Sequence, residues 1–251
     1  MAQIRTDRPG DRVAVVTLDD PSRRNALSLQ LSADLASTIE ALVEDPEVGA
    51  VVVTGDGPAF CAGADLTQLG DSAREGLLAI YEGFLAVARC PLPTIAAVNG
   101  PAVGAGMNLA LACDLRVAST EARFDCRFLD LGIHPGGGHT WMLRRLLGPQ
   151  TAAAMVLFSE VLDAGTALER GLVWETTDPG DLLGRCVELA ASAASVPEGL
   201  SRDAKATLGD VAAIDSHADA IALELERQLE SMDRPEFAER LAQLKKAVSK
   251  R

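Results

Sequence analysis

Apolar residues fall into two rhythms along this chain. In RVAVVTL (12–18), GAVVVTG (49–55) and TIAAV (94–98) they run almost unbroken over short spans, which predicts strands, the last two covered on both faces. In the stretch after Ser28 they recur at helical spacing, at Leu31, Leu35, Ile39 and Leu42. That predicts a helix capped by Ser28 and stopped at Asp45-Pro46. A second helix is expected across roughly 75–89, and MNLALACDL reads as a helix running into the strand LRVAS. Turn-rich connections lie between these elements: PSRRNALS, GDGPAFCAGADL (55–66) and NGPAVGAG (99–106). Strand, loop and helix alternate to about residue 150, the order of an α/β core.

From there the pattern turns helical and alanine-rich, with amphipathic stretches near 181–195, 213–231 and 235–249 and a hinge candidate at SVPEG (195–199). We therefore divide the chain into a core, 1–195, and a helical subdomain, 196–251, that stands alone or packs on a partner. No solenoid-type repeat or low-complexity segment is present.

Composition narrows the function classes. The chain is 48% hydrophobic, yet has no apolar run of about 18 residues to span a membrane. Its N-terminus, MAQIRTDRPGDRV, is charged and lacks the apolar centre of a signal peptide; the final SKR is not the peroxisomal S-K-L address. Cys61, Cys90, Cys113, Cys126 and Cys186 are odd in number and scattered, as expected of reduced thiols in a cytoplasmic protein. A net charge of −13 argues against nucleic acid. It does not exclude an anionic small molecule, because screening over about 8 Å leaves local arginines decisive.

Two loops share one physical form. FCAGADL (60–66) and NGPAVGAGMNLALACDL (99–115) each follow an apolar β segment and place small residues where the backbone turns toward helix. Small residues let a ligand approach main-chain N–H groups, and a helix start adds unpaired donors. Two such donors converging on one point would hold an oxyanion. The second loop also holds half a dinucleotide fingerprint, but Leu109 stands where the third glycine should be, and Asp125 is a weak match to the ribose-binding acid.

Taken together, RRNALS, AFCAGADL, AAVNGPAVGAGMNLALACDLRVA and LGIHPGGG resemble, in order and spacing, the crotonase superfamily, the enoyl-CoA hydratase/isomerase family. The likeness runs from about residue 10 to 170. It implies an α/β fold, a crotonase-type spiral of ββα units with a helical C-terminal region, assembled as a homotrimer or homohexamer. It implies an acyl-CoA ligand of fatty acid metabolism, with coenzyme A entering only as part of the thioester substrate, no tightly bound cofactor, no metal, and neither membrane nor nucleic acid as partner. Carried over by alignment, the N–H groups of Ala64 and Ala105 form the oxyanion hole. Arg23 and Arg24 fall in the segment like the family's CoA-binding loop, where either pairs with a phosphate or stays solvated. Ala26, Ala62, Gly63, Asp65 and Leu66 complete the substrate-facing set on that side, with Asn108 and Phe128 opposite.

The resemblance also implies two glutamates for adding water to a 2-enoyl thioester, since burial can tune carboxylates toward neutrality. Asn108 stands in the first place and Arg127-Phe128 in the second; a third position, used by some isomerases, is Gly136. The remaining candidates come from FDCRFLDLGIHPGGGH (124–139). Asp125 is expected to end a strand and face solvent. On a helix, Asp130 would lie about 200° round from Phe128, one turn from Arg127, where an ion pair competes with a catalytic role. His134 and His139 flank PGGG without an evident third metal ligand; His139, entering the helix TWMLRRLLG, is the better candidate to touch substrate. Cys126 has no base nearby in sequence. Three activities follow: a hydratase or isomerase, a lyase or isomerase reaction whose proton carrier is Asp130, His139 or water; a non-catalytic acyl-CoA carrier; and another thioester-enolate reaction such as decarboxylation or dehalogenation.

Overall fold

The computed structural model describes residues 2–68 and 73–248. The terminal SKR falls outside them. In chain order the elements are β1 (Gln3–Gly10), β2 (Val13–Asp19), α1 (Leu29–Glu44), β3 (Ala50–Gly55), α2 (Ala73–Arg89), β4 (Thr94–Val98), β5 (Pro101–Val103), α3 (Ala105–Ala112), β6 (Leu115–Ser119), β7 (Arg123–Asp125), α4 (His139–Leu157), β8 (Leu162–Asp163), α5 (Ala164–Glu169), β9 (Glu175–Thr177), α6 (Leu182–Ala194), α7 (Glu198–Asp210), α8 (His217–Met232) and α9 (Pro235–Val248).

A six-stranded sheet runs β1-β2-β3-β4-β6-β9. It is parallel except for β1, which lies antiparallel on β2. A smaller sheet, β5-β7-β8, stands beside it. Alternation along β2 sorts the core into two: Val13 and Val15 pack with Leu182, Cys186, Ala190 and Ala194 of α6. Ala14, Val16 and Leu18 face the larger cluster, with Leu31, Leu35 and Ile39 of α1 and Phe84 of α2. Sides of β3 and β4 are buried throughout, as their unbroken apolar runs require. Ser28 caps α1 through its side chain, which accepts from the Leu31 N–H at 3.0 Å, and the helix ends at Asp45.

The C-terminal helices are tied to the core by charge. Lys205 on α7 donates from Nζ to the Leu92 carbonyl at 2.8 Å and to Asp114 Oδ2 at 2.6 Å. Asp114 Oδ2 also accepts from the Thr94 N–H and hydroxyl. Among the described residues no helix is long and apolar enough to cross a membrane.

Candidate active site

The first of the two small-residue loops is held from behind by Asn25. This buried residue sits in the left-handed region, φ 59°, which asparagine tolerates better than most. Its Oδ1 accepts from the Asp20 N–H at 2.9 Å, and its Nδ2 donates to the carbonyls of Asp56 (2.9 Å) and Ala59 (2.8 Å). The chain then makes two single parallel bridges, Cys61 with Ala102 and Ala64 with Leu27. The Ala64 bridge uses the Gly63 carbonyl and the Asp65 N–H, at 2.7 and 2.9 Å. The Ala64 N–H has no main-chain acceptor among the described residues.

The second loop supplies a matching donor. Gly104, at φ 52° and ψ −114°, takes a turn that a side chain would strain, and Ala105 follows as the first residue of α3. A first-turn N–H has no acceptor within its own helix. A Cβ placed on Gly106 would stand 2.1 Å from the Cys61 carbonyl oxygen; one on Gly63 would stand 3.9 Å from the Ala105 nitrogen. Glycine at these positions is what lets the two loops touch, and Ala64 and Ala105 line one hollow.

That hollow is a cavity of about 420 Å³. Ala62, Gly63, Ala64 and Leu66 line it on one side and Val103–Ala105 and Asn108 on another; Leu77, Tyr81, Phe128, Leu131 and Ile133 make its apolar wall. Among the described residues no aspartate or glutamate lines it. Of the residues singled out by sequence, Ala62, Gly63, Ala64, Leu66, Ala105, Asn108 and Phe128 meet here. Arg23, Arg24, Ala26 and Asp65 stand beside the cavity rather than in its wall. Arg23 is exposed and its guanidinium lies 3.6 Å from Asp65. Arg24, with φ 52°, is exposed, and its carbonyl accepts from the Ala62 N–H at 2.9 Å.

Asp130 is drawn away. It sits on the single 3-10 turn Leu129–Leu131, half-exposed, accepting from the Ser159 hydroxyl at 2.9 Å and lying 4.0 Å from Arg127. Asp125 does end a strand but is buried, not solvent-facing. The Arg127 guanidinium folds over its carboxylate, donating from Nε at 2.9 Å. That pairing raises the Arg127 pKa. His134 is exposed at the cavity edge, its Nδ1 2.7 Å from the Pro135 carbonyl. Among the described residues no three His, Cys, Asp or Glu side chains stand together as a metal would need.

His139 is not on the cavity wall. It is 1% exposed, immediately behind it, with both ring nitrogens engaged. Nδ1 lies 2.7 Å from Asn108 Oδ1 and Nε2 lies 3.0 Å from Cys126 Sγ. Asn108 Nδ2 donates to the Gly136 carbonyl at 3.0 Å, which fixes the amide's orientation and aims Oδ1 at the ring. Nδ1 must then carry the proton, leaving the Nε2 lone pair to face the Cys126 thiol. Burial pushes the His139 pKa down to about 4 and the Cys126 thiol up to about 12, so both are neutral near pH 7. The Phe128 ring meets the imidazole edge-on at 4.9 Å. This contact set was invisible in sequence, where the three residues lie 13 and 31 positions apart.

Chemically, the arrangement sets Ala64, Ala105 and Cys126 around one largely apolar cavity, with the His139 imidazole behind it against the Cys126 thiol. The enoyl-CoA hydratase/isomerase family profile matches residues 9–244. A probable enoyl-CoA hydratase of Mycobacterium tuberculosis is 50% identical over 239 residues, 92% of this chain and 93% of that protein. A 4-chlorobenzoyl coenzyme A dehalogenase of Arthrobacter is 33% identical over 242 residues, 92% of this chain and 87% of that protein. The crystal structure of an enoyl-CoA hydratase from Bacillus anthracis superposes with a TM-score of 0.92 at 30% identity, covering 98% of this chain and 96% of that one.

Proposed function

Because the chain belongs to the enoyl-CoA hydratase/isomerase family, we propose that it is an acyl-CoA enzyme whose constant act is to polarise a thioester. The thioester carbonyl accepts from the N–H groups of Ala64 and Ala105, the acyl group lies against Leu77, Tyr81, Phe128 and Ile133, and coenzyme A extends past Arg23 and Arg24. Negative charge that builds on the carbonyl oxygen, as an enolate or a tetrahedral adduct, is met by donors already in place. One such donor contributes about 2.7–4 kcal/mol to the transition state. What supports this reading is that Ala64, whose N–H has no main-chain acceptor among the described residues, and Ala105, in the first turn of α3, line one largely apolar cavity.

Among the described residues the cavity holds no carboxylate pair for hydration. Asn108 cannot exchange a proton at neutral pH, and its amide is committed to His139 and Gly136. We therefore place hydration of 2-enoyl thioesters below that of a site with two acids, at a cost of about 10²–10⁴-fold per missing group. That commitment of Asn108 favours a second reading, a non-catalytic acyl-CoA carrier. The likeness to a 4-chlorobenzoyl coenzyme A dehalogenase supports a third reading, another thioester-enolate reaction. Exposed Trp141, Phe158 and Trp174, with exposed Leu225, Leu229 and Met232 on α8, support assembly as a homotrimer or homohexamer with 196–251 as the arm that joins copies.

The test follows crotonyl-CoA in heavy water by mass spectrometry, alongside the affinities of butyryl-CoA and its thioether, in which a methylene replaces the carbonyl. Tighter binding of the thioester, with hydrated or deuterated product, is the expected result. Tighter binding without turnover selects the carrier. Equal affinity for thioester and thioether would refute the oxyanion hole.

A further inference from the structure

The hydratase reading gives the buried thiol of Cys126 no task, yet the fold has placed a base against it and fixed that base's tautomer. We propose that Cys126 is a covalent acyl acceptor, with His139 as its base and Asn108 as the positioning residue, taking the acyl group of bound acyl-CoA onto its own sulfur. This rests on the acyl-CoA reading above.

Three observations carry it. Cys126 lines the same cavity as Ala64 and Ala105, so the residue stands beside a carbonyl held there. His139 Nε2 lies 3.0 Å from Sγ with its lone pair directed at it. The order thiol, imidazole, amide is that of a nucleophile, a base and the group that orients the base. A structural thiol needs none of this: Cys61 and Cys113 are equally buried and make only long contacts to main-chain carbonyls, at 3.9 and 3.7 Å.

The step balances without any co-reactant. Sγ forms a bond to the thioester carbon while Nε2 takes the thiol proton, and the carbonyl π pair moves onto oxygen between the Ala64 and Ala105 N–H groups. When the C=O bond re-forms, the bond to the CoA sulfur breaks, and the CoA thiolate takes the proton back from Nε2. One thioester is exchanged for another and nothing is oxidised or reduced. CoA or another thiol reverses the step, and water would end it as a free acid. Because the resting thiol and imidazole are both uncharged, the proton moves only as the new bond forms. Reagents that cannot place a carbonyl between the two N–H groups then find an inert thiol.

The test uses butyryl-CoA, whose saturated chain cannot alkylate a thiol by conjugate addition. Acid-quenched intact protein is weighed, mapped and treated with hydroxylamine, and exchange of isotopically labelled CoA into butyryl-CoA is followed in parallel. Expected are one hydroxylamine-labile butyryl group on Cys126, exchange of label, and loss of both in Cys126→Ala. His139→Gln should slow acylation by about 10²-fold or more. Asn108→Ala should lower the acylation rate at saturation far more than it weakens binding of the butyl thioether, a rate-against-affinity split that a merely structural role would not produce. Wild-type protein that binds the thioether but neither acquires the group nor exchanges CoA would overturn acylation and leave the acyl-CoA reading standing. Acylation or exchange that survives in Cys126→Ala would overturn it equally. Failure to bind thioether or thioester would bring down both.

Discussion

Lowering the pH should cost this protein stability well above the range in which carboxylates titrate, and His139 sets the size of the loss. In the native state its ring is buried with both nitrogens engaged, and burial holds its pKa down at about 4 against an ordinary value of 6.5. Between those values the unfolded chain takes up a proton that the native chain refuses, so stability falls as pH falls. At 1.36 kcal/mol per unit the full penalty is about 3 kcal/mol, of which about 2 kcal/mol has accrued by about pH 5. Urea unfolding at fixed protein concentration, at several pH values from about 7.5 to 5, measures it. The same series on His139→Gln removes the titrating group and leaves the other acids and bases as a common background. Wild type should lose about 2 kcal/mol more than the variant across that range. Parallel curves would mean that the native ring takes a proton as readily as the unfolded one. The assignment of Nε2 as a bare acceptor facing the thiol would then be wrong.

Other outcomes follow from the same geometry. Gly106→Ala puts a Cβ 2.1 Å from the Cys61 oxygen, so the loops must part. It should cut turnover of any thioester substrate by about 10²–10³-fold, the effect of one lost donor, at about 1–3 kcal/mol in stability. Asn25→Ala strips partners from the Asp20 N–H and the carbonyls of Asp56 and Ala59. A loss of about 3 kcal/mol is expected in urea unfolding, since each buried orphan costs about 1–3 kcal/mol. Lys205→Met breaks the bonds to Leu92 and Asp114. Hydrogen exchange in α7 should quicken while α1 stays protected, a difference of about 1–2 kcal/mol. Cys126 should resist iodoacetamide in the native protein at pH 8, because its thiol is pushed up to about 12; rapid alkylation there would contradict a neutral, enclosed thiol.

Much of the α/β core could be read directly, because β3 and β4 are buried on both faces and α1 carries an unmistakable apolar stripe. Strand β1 escaped notice for the opposite reason: its residues are almost all exposed, so burial never imprinted a period on them. That the two small-residue loops meet at one cavity was legible because close main-chain approach needs small residues, and small residues show in a sequence. Asp125 was misread as solvent-facing because its cover, Arg127, reaches back over it from a residue with φ 53°, a turn no periodicity announces. The relay behind the cavity was hidden for a more general reason. Cys126, His139 and Asn108 come from the end of β7, the start of α4 and the middle of α3, and only tertiary closure makes them neighbours. Helix α7 was passed over because SVPEG and the polar residues after it read as a hinge, whereas Pro197 instead opens a new helix.

The donors proposed at Ala64 and Ala105 belong to the peptide backbone, and that has a consequence for how such a site can be altered. No single codon change deletes a backbone N–H except one to proline; what a mutation can reach is the spacing that Gly104 and Gly106 maintain. The proposed carbonyl-gripping half of the site is thus insulated from side-chain drift, while what a side chain can change falls on Asn108, Phe128 and Cys126 around it. A laboratory wishing to install a new thioester reaction here would treat the two loops as a fixed socket and randomise only those three positions.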